Sequence, residues 1–457
     1  MTDASTRPLA ERLAELALRA DAATMPDAVR AKAGTCVLDF LSACLAGASL
    51  DWSRQAVAAA IADGGHGPCT ILAGGERVGA GAAAFANAVL GGATWQMDTF
   101  ADSALHPGVS VIPAALAAAQ ARGAGGASLL EGLVAGYEVA GALGEAMYLG
   151  ATRFTLRPSG VVGPIAAAAA AARIAGLDAA RTTSALALAA NASAGLLEGP
   201  RAGTPELQFH ASFAARNGLA ACELARAGAI GAATDLDGPL GLIPTLAPEA
   251  NGRLPAERPG ATRILAVLHK PAPACVYVQS PCQAAARIAA QAGFDAARVR
   301  GVRIGAHPTA IGFPGCDNPR PIDTAQAARL SIQYSVAAVL VHRAIDVSIW
   351  LEPGAMPGVA ALAARCTLEP RAELPVQGCT VEVVLDDGTV RVERAGAIVE
   401  PGHDAIVERF LRAARDRIDD GHAQRVVRWA KDLRALPRVD ALADAVCVVP
   451  LRGRPAP

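Results

Sequence analysis

From Pro8 to about Thr262, apolar residues recur three or four positions apart with little interruption. That spacing lines one face of an α-helix. Leucines at this period, set among Arg7, Glu11, Arg12, Glu15 and Arg19, predict an amphipathic helix within the first twenty residues. Pro26-Asp27 opens the next, which runs through Ala31, Val37, Leu38 and Leu41. Further helices are predicted over 79–90, 110–121, 128–149, 161–175, 179–195 and 209–227. Gly-rich joints such as Arg122-Gly-Ala-Gly-Gly126 separate them. The period changes after Ile264. Residues 302–306 and 379–385 alternate as strands do, and Asp386-Asp-Gly-Thr389 turns the second into 390–393 as a hairpin. Residues 323–344 read as helix between them, and the helical period returns over 405–418 and 423–433.

These patterns predict a mainly α protein with a smaller α+β domain. The helical domain spans 1–264, the α+β domain 265–400, and 401–457 returns to the helical body. With 52% hydrophobic and 18% charged residues, the 457-residue chain is globular. Much of the apolar share is alanine, glycines number 46 and aromatics reach only 4%. Helices so poor in large side chains each bury little area, so they must pack together as one bundle.

A net charge of −1 provides no global field for nucleic acid or anionic lipid. The longest apolar run, 165–172, is far short of a membrane span, and the first helix lacks the apolar core of a signal peptide. The ten cysteines form neither a Cys-x-x-Cys pair nor a zinc-spaced Cys/His cluster. The expectation is a soluble cytoplasmic protein with free thiols such as Cys36, Cys44 and Cys222. No metal, nucleic-acid or membrane partner is expected.

Three spots carry candidate chemistry. Trp95-Gln-Met-Asp98-Thr-Phe-Ala-Asp102-Ser-Ala-Leu-His106-Pro-Gly108 sets two carboxylates and an imidazole on one connection between helices. Such a loop suits general acid–base work, or else holds a capping Asp and a surface His. Leu268-His269-Lys270-Pro-Ala-Pro-Ala-Cys275 lies at the junction of the two domains, a favoured place for ligand sites. Lys32, Lys270 and Lys431 are the only lysines in the chain. Unlike arginine, a lysine changes its pKa readily when buried, which suits Lys270 to catalysis. The third spot, Gly203-Thr-Pro-Glu-Leu-Gln-Phe-His210, leads into a helix in which Asn217 beside Gly218 marks a polar contact or close packing. Arg153 and Arg157 are either carboxylate clamps or solvated loop residues.

In order and spacing, these segments resemble the 2-methylcitrate dehydratase (MmgE/PrpD) family nearly end to end. The marks are Val37-Leu-Asp39-Phe40 with Gly47, Asn87-Ala-Val-Leu-Gly91 and the Asp98…His106-Pro-Gly108 loop. Val162-Gly163-Pro164, Ala175-Gly-Leu-Asp178, Gly203-Thr204, His210, Ala214-Ala215 and Gly218 follow. Lys270-Pro271…Pro273-Ala-Cys275, Asn318-Pro319, Ala328-Arg-Leu-Ser331 and Gly388 complete them. The resemblance implies a large helical domain closed over by an α+β lid, a homodimer, and an active site between the domains. It also implies cofactor-free chemistry next to a carboxylate, as in methylcitrate dehydratases, cis-aconitate decarboxylases and iminodisuccinate epimerases.

Carried over, Asp98, His106 and Lys270 are the catalytic candidates. Arg157, Asp102, Ser103, Gln208 and His210 are the substrate-binding ones. Three positions depart from the family pattern: Trp95 and Arg157 stand where histidines are common, and Leu207 where a lysine is. Those changes imply a different arrangement of substrate carboxylates. The leading expectation is a lyase, hydro-lyase or decarboxylase, acting on a small hydroxy- or amino-polycarboxylate. Its rivals are an isomerase or epimerase of a related dicarboxylate and a catalytically silent ligand-binding paralogue.

Overall fold

The structure, a computed structural model, describes residues 7–149, 154–248, 250, 262–353, 357–415 and 417–447. Arg153 lies outside them. The amphipathic first helix is α1 (Leu9–Leu18), followed by α2 (Asp27–Gly47) and α3 (Asp51–Gly64). A two-stranded antiparallel ribbon, β1 (Cys69–Thr70) and β2 (Arg77–Val78), precedes α4 (Ala80–Gly92). Then come α5 (Gly108–Ala121), α6 (Gly126–Tyr148), α7 (Pro158–Ile174) and α8 (Ala179–Ala190). A short α9 (Glu198–Ala202) leads to α10 (His210–Arg226) and α11 (Leu242–Leu246).

Alanine does the packing in this body. Ala166–Ala172 of α7 are all buried, and α7 lies between α6 and α10. A Cβ on Gly218 of α10 would come 2.5 Å from the Pro164 carbonyl oxygen of α7, so the two backbones touch where only glycine fits. Close packing, rather than a polar contact, accounts for that glycine. The predicted helix over 179–195 stops at Ala190, because the chain bends back through Gly195 at φ +124°.

The second unit opens with α12 (Gln279–Ala290), which the apolar period did not reveal. Its sheet has the order β4 (Cys366–Pro370), β3 (Val299–Ala306), β5 (Cys379–Leu385), β6 (Val390–Ala395). β3 runs parallel to β4 and antiparallel to β5, and β5–β6 is the predicted hairpin, with Gly388 at φ +82° in its turn. Cys379, Val381, Val383 and Leu385 of β5 face inward, as the alternation predicted. Along the chain, the short helices α13 (Pro308–Gly312), α14 (Ala325–Leu330), α15 (Ile332–His342), α16 (Ser348–Leu351) and α17 (Pro357–Ala363) connect β3 to β4.

The helix predicted over 323–344 is therefore two helices. Ser331 breaks it by leaving helical geometry at ψ 119°, its hydroxyl capping α15 at the Tyr334 N–H and donating to the Asn318 carbonyl. The chain ends in α18 (His403–Ala414), α19 (Asp420–Lys431) and α20 (Val439–Ala445), which pack back onto the helical body.

Two hydrophobic cores result. One joins α1–α8 and α10 to α18–α20, and the other joins α12, α15 and the sheet. Trp95, Met97, Val109, Leu207 and Ala211 come from the helical part of the chain but pack in the second core. They mark the seam between the cores. Among the described residues, no single helix is long and apolar enough to cross a membrane.

Candidate active site

Two loops meet at that seam. Thr99 and Leu268 exchange backbone hydrogen bonds of 2.9 Å in an isolated antiparallel bridge. Lys270, two residues beyond Leu268, is thereby drawn beside the loop that carries Asp98 and His106. The Asp98 carboxylate pins its own loop, accepting the Gly108 N–H at 2.9 Å through Oδ1 and the Tyr137 hydroxyl through Oδ2. A Cβ on Gly108 would lie within 2.7 Å of both carboxylate oxygens, so glycine is what lets α5 begin there. Burial raises the Asp98 pKa from its ordinary value.

His106 is buried, and its backbone N–H donates to Ser159 Oγ in the first turn of α7 at 3.0 Å. Its Nδ1 lies 2.7 Å from Thr99 Oγ1 and 3.3 Å from the Asp98 carbonyl oxygen. A carbonyl can only accept, and the Thr99 hydroxyl donates to the Met97 carbonyl at 3.1 Å. Nδ1 therefore carries the proton and Nε2 keeps the lone pair. Burial, and then the charges of Lys270 and Arg157, push this imidazole's pKa well below its ordinary value. His106 is neutral at neutral pH, with Nε2 unprotonated.

Lys270 is fully buried, and Nζ donates to the Ala274 carbonyl at 2.9 Å. Pro271 and Pro273, which follow Lys270, offer no N–H, so the loop is held by Gln279 instead. The Gln279 amide donates to the carbonyls of Ala272, Ala274 and Cys275 at 3.0 Å each and accepts the Ala272 N–H at 2.8 Å. Burial pulls the Lys270 pKa down to about 7, with Arg157 and Arg329 pushing the same way. A buried ion pair anchors the segment from behind. Asp39 of α2 accepts from Arg409 of α18 at 2.7 Å and meets His269 Nδ1 at 3.0 Å, and Arg409 also donates to the Lys270 carbonyl at 3.0 Å. Burial opposes charge on Asp39, but Arg409 and His269 outweigh it and hold the carboxyl below its usual pKa.

Arg157, the residue before α7, is buried and donates to the Leu207 carbonyl at 2.6 Å. Burial lowers its pKa to about 10, which leaves it charged at neutrality. His210 lies close enough that Arg157, added to burial, holds its pKa down at about 4, and His210 Nδ1 has no hydrogen-bond partner. Gly195 makes room for both: a Cβ there would be 3.3 Å from His210 Nδ1 and 3.4 Å from Arg157 Cβ. Gln208 is buried on the turn before α10.

The fold thus brings Asp98, His106, Lys270, Arg157 and His210 to one seam. Ser103 is buried too, but its hydroxyl donates to the Phe100 carbonyl at 3.4 Å, and Asp102 is exposed to solvent. Sequence reasoning missed Thr99, Tyr137 and Gln279, whose neighbours are set by tertiary contact. Leu207 offers its backbone oxygen to Arg157. All ten cysteines are free thiols, and among the described residues no three His, Cys, Asp or Glu converge as a metal site.

Comparison with known proteins identifies the family of the chain. The family model for the MmgE/PrpD N-terminal domain matches residues 11–253, and that for the MmgE/PrpD C-terminal domain matches 272–433. A cis-aconitate decarboxylase-like protein, oryM, of Aspergillus oryzae is 33% identical over 244 residues, 51% of this chain and 50% of the relative. A cis-aconitate decarboxylase of Aspergillus terreus is 29% identical over 211 residues, 45% of this chain and 43% of the relative. The chain matches about half the length of these curated relatives or somewhat less.

Proposed function

The chain belongs to the MmgE/PrpD family, and on that premise we propose that it is a lyase that cleaves a bond next to a carboxylate of a small polycarboxylate. The observation that carries this reading is the presence at one seam of two proton-transfer groups tuned to opposite protonation states. His106 is fixed as the tautomer with a free Nε2, and Lys270 is buried with a pKa near neutrality. Bond cleavage beside a carboxylate leaves an electron pair on carbon, which needs nearby positive charge and a proton donor.

In a decarboxylation, the carbon–carbon bond breaks, CO2 leaves and the electron pair stays on the substrate carbon. The Lys270 ammonium offsets that charge and then gives it a proton, which solvent returns to the amine. His106 Nε2 takes the proton wherever the substrate loses one, and Thr99 and the Asp98 carbonyl hold its ring in place. Arg157 holds a substrate carboxylate. The names of the relatives favour decarboxylation and make cis-aconitate the first substrate to try.

The test is incubation of the protein with cis-aconitate, with CO2 release and proton NMR in deuterium oxide as readouts. Turnover by wild type, lost in Lys270→Met and His106→Gln, is the expected result. Exchange of the α-proton of a dicarboxylate with no new alkene and no CO2 would move the reading to an isomerase. Neither turnover nor exchange with any polycarboxylate would refute it.

A further inference from the structure

Arg329, in the last turn of α14, is fully buried, yet among the described residues it has no counter-charge. Nη1 donates to the Ala93 carbonyl at 3.2 Å, while Nε and Nη2 have no hydrogen-bond partner. Among the described residues, no carboxylate pairs with it. The guanidinium lies between two indoles instead, 5.3 Å from the Trp52 ring centroid and 5.9 Å from that of Trp95. Burying a charge without a paired anion is costly, and folded proteins avoid it unless another component supplies the partner.

The surroundings repeat the pattern. The indole N–H groups of Trp52 and Trp95 and the hydroxyl of Thr94 are also buried without partners. Each of these groups can donate a hydrogen bond. Trp95 is held at φ +63°, a conformation that a bulky residue adopts only under constraint. Its ring is thereby placed against the Arg329 guanidinium. The Arg329 carbonyl accepts the Cys275 N–H at 2.9 Å, which fastens this residue to the loop that carries Lys270. Arg329 and Arg157 both act electrostatically on Lys270, the one from α14 and the other from the start of α7.

We propose that Arg329, set between Trp52 and Trp95, binds a second carboxylate of the substrate, so that Arg157 and Arg329 hold two carboxylates while the reacting carbon lies at Lys270. This deepens, and rests on, the reading of the site as one for a small polycarboxylate. It narrows the substrate class to molecules with at least two carboxylates and an apolar stretch compatible with indole walls. It also gives Trp95 a role: the ring sets the direction of the guanidinium.

The test uses tricarballylate, a saturated tricarboxylate, as the probe, with thermal unfolding and calorimetric titration as readouts. Wild type, Arg329→Met and Arg329→Gln are compared. An arginine kept for a ligand is dispensable to the empty fold. Ligand-free Arg329→Met should therefore be at least as stable as wild type, while its affinity for tricarballylate falls tenfold or more. Arg329→Gln should show the same loss of affinity, and Arg329→Lys should recover part of it. Wild-type affinity in Arg329→Met, or unfolding of both neutral variants, would overturn the proposal and leave the polycarboxylate reading standing. If wild type binds none of tricarballylate, cis-aconitate and succinate, the functional reading itself fails and this assignment fails with it.

Discussion

Lys270→Met should inactivate the protein and stabilise it. Methionine nearly matches the volume of lysine, so the packing of the buried side chain is kept. The hydrogen bond that is lost, to the Ala274 carbonyl, leaves that oxygen still bonded to the Gln279 amide at 3.0 Å. What is removed is the cost of charge. The pKa falls from 10.5 to about 7 on folding, and at 1.36 kcal/mol per pH unit the protonated amine opposes folding by up to about 5 kcal/mol.

The unfolded lysine keeps its proton up to about pH 10, whereas the folded one releases it above about pH 7. Between those values the unfolded chain binds more protons, so wild-type stability rises with pH. At pH 7 and below the full penalty is present. Allowing about 1 kcal/mol for the lost hydrogen bond, the variant should be more stable by about 2–4 kcal/mol at pH 6. That advantage should shrink toward zero by pH 10. Urea unfolding at pH 6, 7.5 and 9 measures it, with turnover assayed in parallel. A variant less stable than wild type at pH 6, or one whose advantage does not change with pH, would refute the reasoning. So would retained turnover.

Three further outcomes follow from the same geometry. Because Lys270 acts protonated while His106 stays neutral, kcat should be level below about pH 7 and fall tenfold per pH unit above it, with no acid limb near 6.5; a pH–rate profile checks this. Asp39→Asn leaves Arg409 and His269 without their anion and should cost about 3 kcal/mol or more. Asp39 has a lowered pKa, so wild type keeps this contribution above about pH 4 and loses it as the pH falls through the lower folded value; acid titration of stability in wild type and variant tests both points. Thr99→Val removes one of the two acceptors that fix the His106 tautomer. It should lower kcat about tenfold with little change in KM, because the Asp98 carbonyl still holds Nδ1, and steady-state kinetics decides it.

How far these residues could be read in advance depended on whether their signal was local. Asp98, His106 and Lys270 stand in short segments of unusual composition, and the shortage of lysine singled out Lys270 before any fold was known. Local composition left Arg157 open between a carboxylate clamp and a solvated loop residue and marked only the segment around His210, so their substrate-binding roles came through the family pattern. Arg329 stood inside a family mark without a role, because nothing along the chain tells a buried guanidinium that lacks a partner from one on the surface. Helix α12 and the break at Ser331 were missed for a related reason. The first has its partners far along the chain in α15 and the β5–β6 hairpin, and the second depends on a hydroxyl that finds the Asn318 carbonyl.

The sequence by itself determined the mainly α class, the hairpin, the alanine-filled helical body and the two loops where chemistry is concentrated. Periodicity and local composition carry that information, and neither needs to know what lies across the molecule. Only the tertiary structure decided that Thr99 bridges Leu268, that a carbonyl and a hydroxyl choose the His106 tautomer, and that burial brings Lys270 to neutrality. Desolvation and hydrogen-bond partnership belong to the folded interior, so the chemistry of these side chains is set only when the two cores close around the seam.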